Sequence, residues 1–184
     1  MGLAFGAKNI SYYTYYPFPY KSPGENYSTQ SAVKMDGTKD LYDEIQAVNK
    51  EFQALAKVIL NYRYEGSGYF TGERKVFPTK MIGIEEYYMA DGSENGFECI
   101  EEVKTDSETI INQMYDEERG SYGYMVLNVT DPGDGIGVKA EVTFDKKYKN
   151  VMVINKGQTN YYKLKKSVYT AELEAGDSCF VIPY

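Results

Sequence analysis

The chain has 184 residues, 42% of them apolar and 15% aromatic, which suffices for a domain with a core of its own. No apolar run approaches the roughly 18 residues of a membrane-spanning helix. Twenty basic against 27 acidic residues give a net charge of −7 and a pI near 4.8, against a nucleic-acid binder that works through a basic face. Histidine is absent, which removes Ser-His-Asp and Cys-His nucleophile systems, histidine zinc sites and an imidazole pH switch.

A short apolar stretch, Leu3 to Phe5, opens the chain, and the aromatic run Ile10 to Tyr16 follows with the composition of a strand. Pro17-Phe18-Pro19 ends it, because proline donates nothing to a ladder. Residues 20 to 37 are polar and rich in turn formers, and read as a loop. Leu41, Ile45, Val48, Phe52, Leu55 and Ile59 then recur at helical spacing. Thr38 stands where an N-cap is expected, and Asp40, Asp43 and Glu44 suit the positive end of the helix dipole. The helix ends near Leu60 to Tyr62.

Gly66-Ser67-Gly68 reads as a flexible joint, and beyond it the period becomes that of strands. Strands are expected over Met81–Met89, Phe97–Val103, Thr109–Tyr115, Tyr122–Thr130, Val138–Phe144, Val151–Asn155, Tyr161–Leu164, Val168–Leu173 and Cys179–Ile182, with Gly, Asp and Asn turns between them. Many short strands at this spacing predict a mainly β fold, an antiparallel β-sandwich. The chain thus divides into a strand–loop–helix segment over 1–62 and a β-sandwich domain over 66–184. The first segment cannot enclose a core alone. It either ends a larger α/β structure or packs onto the β domain as a lid.

Few residues carry chemistry. Cys99 and Cys179 stand 80 positions apart with no metal spacing and read as small core residues, with a disulfide left open should the chain be exported. Glu85-Glu86 and Glu101-Glu102 are adjacent in sequence, so on a strand they point to opposite faces and cannot flank one bond. Asp131-Pro132-Gly133-Asp134-Gly135 has oxygens for calcium but reads more simply as a turn. Lys146, Lys147, Lys163, Lys165 and Lys166 read as edge or surface lysines that discourage sheet-to-sheet pairing. No cofactor or metal is implied. The N-terminus lacks the basic region of a signal peptide, which favours a cytoplasmic location.

Leu3-Ala4-Phe5-Gly6-Ala7-Lys8 with the aromatic run to Tyr16 resembles the eighth-strand region of clan A glycoside hydrolases, most closely β-galactosidase-like enzymes of the family 42 type. The stretch Leu41 to Phe52, with Val48-Asn49-Lys50-Glu51 at its centre, resembles the helix that follows. Tyr124 to Pro132, Val142-Thr143-Phe144-Asp145 and Gly176 to Tyr184 resemble the C-terminal sandwich beyond such barrels. The resemblance implies that the first segment is the last β/α unit of a (β/α)8 barrel. Both catalytic carboxylates would then lie upstream of Met1, so the chain itself would not turn over substrate.

By the same resemblance Tyr16, with Tyr13 and Tyr15, occupies the place where an aromatic residue, usually Trp, stacks on the sugar. Tyrosines packed on the helix or on a partner chain are the competing reading. The expected function is a non-catalytic accessory region of a glycoside hydrolase-like protein. It would associate with carbohydrate, or with itself through the helix face or the aromatic strand, and not with nucleic acid or membrane. A free-standing carbohydrate-binding module is the alternative.

Overall fold

The computed structural model describes residues 2–9, 32–33, 39, 41–71 and 97–184. Tyr13, Tyr15, Tyr16, the loop apart from residues 32–33, Thr38 and the Met81–Met89 strand lie outside the described residues.

Among the described residues nine strands form two antiparallel sheets: β1 (Tyr62–Thr71), β2 (Ile100–Thr105), β3 (Glu108–Asp116), β4 (Ser121–Asn128), β5 (Val138–Phe144), β6 (Asn150–Asn155), β7 (Gln158–Lys163), β8 (Val168–Leu173) and β9 (Ser178–Pro183). The larger sheet runs β1-β3-β4-β9-β6-β7 and the smaller β2-β5-β8. They pack face to face, as the alternating pattern of strands such as β5 predicts: Val138, Ala140, Val142 and Phe144 are buried and Lys139 is exposed.

The large sheet is covered on both faces. Ile111, Tyr124, Val126, Val151, Val153, Cys179 and Val181 face the small sheet. Their neighbours Ile110, Met125, Leu127, Ile154 and Phe180 form a second core with Leu3, Ala4 and Ile59. This is why β3 and β4 read as nearly continuous buried runs.

Helix α1 (Tyr42–Ile59) lies over that second face. Leu41 occupies its N-cap position and makes no side-chain cap bond, so the cap falls three residues beyond Thr38. Phe52, Leu55, Val58 and Ile59 pack on the second core, whereas Val48 is 55% exposed. Only the C-terminal half of the apolar face is therefore buried by the chain's own sheet. The helix end is closed by Lys8, whose ammonium donates to the carbonyls of Ile59 (3.4 Å), Leu60 (3.0 Å) and Tyr62, where a cation complements the dipole.

The opening apolar stretch, Leu3–Phe5, belongs to a 3₁₀ helix (Gly2–Phe5). It is pinned by Asn112, which is fully buried, donates to the Ala4 carbonyl (2.7 Å) and accepts from the Ser67 hydroxyl (2.6 Å). Gly66-Ser67-Gly68 is not a joint but the middle of β1, and all three residues are buried. The ladder with β3 shifts between Tyr64 and Gly66, a bulge that takes up Glu65. At Gly68 the rings of Phe70 and Phe97 stand 3.0 Å from where a Cβ would lie, so a side chain has no room.

Candidate functional site

The large sheet is wider than the small one, and strand β7 projects past the sandwich with all six residues exposed. The register puts Tyr162 opposite Val151 and Asn160 opposite Val153, so these two side chains point the same way as the inter-sheet core. Facing them is β8, the edge of the small sheet. Between the two edges runs a cleft of about 500 Å³.

Its floor is apolar, made by Val153, Leu173 and Cys179. Tyr162 and Tyr169 stand together in it, ring centroids 6.0 Å apart and planes tilted by 41°. Tyr169 is half-buried and burial pushes its hydroxyl above the ordinary value of 10.0, so it remains a neutral donor. Tyr162 is 47% exposed and presents the open ring. Burial pushes the Cys179 thiol up to about 12, with the Tyr169 hydroxyl opposing in part; no thiolate forms there at neutral pH. Cys99, half-buried, bonds instead to the Tyr148 hydroxyl at 2.9 Å, and both cysteines are free.

Asn155, Asn160, Lys163, Lys165, Thr170 and Glu172 also line it, but the register sets Thr170 opposite Glu141 and Glu172 opposite Lys139, so these two side chains lie on the outer face of the small sheet. Asn155 donates to the Ser178 carbonyl at 2.8 Å, whereas Asn160, Lys163 and Lys165 make no side-chain hydrogen bond or ion pair to another described residue. The other hollows differ in this respect. Beside β1, in a hollow of about 720 Å³, Lys8 is committed to the helix carbonyls and Arg63 to Glu65 and Glu117. In a third, of about 470 Å³, Lys156 is paired with Glu174 (2.7 Å) and Asp177 (3.5 Å).

The turn at the rim is strained. Lys166 and Ser167 have φ of 53° and 63°, and the Val168 amide closes on the Lys165 carbonyl at 3.1 Å. Two consecutive left-handed residues make a type I′ turn, for which Asn-Gly is the usual sequence. A lysine and a serine held there cost roughly 1 kcal/mol or more each, and such strain gathers at functional sites.

The remaining sequence candidates have local roles. A bulge at Glu101 leaves Glu101 and Glu102 both exposed, and Glu102 pairs with Lys104 at 2.9 Å. Asp131 accepts from the Gly133 amide at 2.8 Å and starts a 3₁₀ turn (Pro132–Asp134) that Gly135 ends in the left-handed region. Asn128 donates to the carbonyls of Ile136 (2.9 Å) and Glu174 (3.0 Å), tying the end of β4 to that loop and to the end of β8. Among the described residues no His, Cys, Asp and Glu cluster could hold a metal, and no helix is long and apolar enough to cross a membrane.

Tyr162, Tyr169 and Asn160 were not singled out by sequence reasoning. A signal was available: residues 146–171 hold seven lysines, four tyrosines and no acidic residue, in a chain of net charge −7. Compared with known proteins, the chain matches no family model, no curated protein and no solved structure.

Proposed function

We propose that this chain is a non-catalytic accessory region of a glycoside hydrolase-like protein that holds carbohydrate in the β7–β8 cleft. One observation carries the reading. A half-open tyrosine ring stands beside a second tyrosine over an apolar floor, and Asn160, on the same face, makes no side-chain hydrogen bond to another described residue. A pyranose offers the matching chemistry: an apolar C–H face for the ring of Tyr162, and hydroxyls for Asn160.

The ordered resemblance to a hydrolase C-terminal region supports the accessory role. So does the chemistry of the cleft, where the thiol is protonated and no imidazole is at hand to activate a nucleophile.

Isothermal titration of the 184-residue chain with neutral and acidic oligosaccharides tests this. Saturable, weak binding to at least one of them is expected, lost in Tyr162→Ala, whose side chain is too exposed to endanger the fold. A flat titration across both sets overturns the reading.

A further inference from the structure

Resting on that reading, we infer that the saccharide taken by the β7–β8 cleft is an acidic one, a polymer of carboxylated sugars. The inference starts from charge that net composition hides. The 26 residues 146–171 carry seven lysines and no acid, while the other 158 residues carry a net charge of −14.

The fold gathers these lysines rather than spreading them. Asn150 pairs with Lys163, the Leu164 amide donates to the Lys149 carbonyl at 2.8 Å, and the Phe144 amide donates to the Ser167 carbonyl at 2.8 Å. These bonds bring the β5–β6 connection, the end of β7 and the strained turn to one end of the cleft. Lys146, Lys163, Lys165 and Lys166 are all exposed there, and none has an ion pair among the described residues. Lys147 and Lys156, by contrast, are paired with carboxylates of this chain.

Exposed lysines without a carboxylate partner among the described residues leave positive charge that an anionic ligand would neutralise. Lys163 and Lys165 line the cleft itself, next to the tyrosines. A uronate repeats the same three features along one chain: a C–H face to stack, hydroxyls to hydrogen-bond and a carboxylate on each ring. A single-stranded RNA shares the charge but not the regular C–H faces of the sugar rings, and the salt dependence alone does not separate the two, so RNA is included in the test.

Affinity electrophoresis of the full chain in gels containing polygalacturonate, a neutral galactan or single-stranded RNA tests the inference. Polygalacturonate is expected to retard the protein strongly, with the effect falling as salt rises. The exposed triple variant Lys163→Gln/Lys165→Gln/Lys166→Gln should weaken that binding by about tenfold or more, and by a larger factor than it weakens any galactan binding. Equal retardation by galactan and polygalacturonate, or an unaffected triple variant, overturns the acidic assignment while leaving carbohydrate binding intact. Retardation by RNA as strong as by polygalacturonate overturns it too, in favour of an unselective polyanion surface. No retardation by either polysaccharide removes this inference and the proposed function together.

Discussion

Replacing Gly123 by alanine adds one methyl group where the second core has no space. The new Cβ would stand inside the van der Waals envelope of Phe180 Cζ and 2.9 Å from Tyr62 Cε1, where about 3.5–4 Å is normal between carbons. Neither ring can yield easily. Phe180 is fully buried, and Tyr62 is 2% exposed with its hydroxyl held to Ser121 at 3.2 Å. The two rings also meet edge to face, centroids 5.1 Å apart, so displacing one disturbs the other. Overpacking of this kind costs about 1–3 kcal/mol. Alanine returns about 0.5–1 kcal/mol by restricting the unfolded chain.

The net expectation for Gly123→Ala is a loss of about 1–2 kcal/mol, or roughly 2–8 °C in Tm for a chain of this size. Urea unfolding followed by circular dichroism measures it. Phe180→Leu, which removes the clashing atom, should cost stability alone yet make the double variant better than the two single losses added, by about 1 kcal/mol. A stabilised Gly123→Ala, or strict additivity in the cycle, would refute the packing argument.

Two further outcomes follow from the described contacts. Asn112→Ala removes the donor to the Ala4 carbonyl in a site from which water is excluded, so a loss of about 2–4 kcal/mol is expected, with faster amide exchange around residues 2–9 by mass spectrometry; unchanged exchange there would sink the pinning role. The Cys179 thiol, raised from 9.0 to about 12, favours the folded state fully below pH 9. That contribution is lost as pH climbs from 9 to 12, by up to about 1.4 kcal/mol per unit, because only the unfolded chain ionises. Cys179→Ala should flatten this alkaline limb of a urea-midpoint profile, and an identical slope in the variant would contradict the assignment.

Strand-forming sequence was legible wherever side chains alternate or run apolar, so β5 and β8 fall at their expected bounds and the other described strands after β1 within a few residues. Strand β1 was not, because Gly66 and Gly68 signal flexibility in sequence while the fold uses them for a bulge and for close approach of aromatic rings. Leu3–Phe5 has no assignable element in sequence for a related reason: three apolar residues fit a strand or a buried turn equally well, and a partner 108 positions away, Asn112, decides. The cleft was obscured by averaging. A net charge of −7 conceals a basic strip, and lysines that guard a sheet edge look the same in sequence as lysines that await a ligand.

The double coverage of the large sheet bears on how the chain finds its pairing. Sliding β4 by one residue against its neighbours would exchange Tyr124 and Val126 for Met125 and Leu127, one oily set for another, so hydrophobicity alone barely penalises the error. The discrimination falls to features that are not oily. A slip of β4 would put Tyr122 or Tyr124 where Gly123 leaves room for Phe180 and Tyr62, and a slip of β3 would turn Asn112 away from the Ala4 carbonyl. In this sheet the correct alignment is spelled by one amide and one missing side chain.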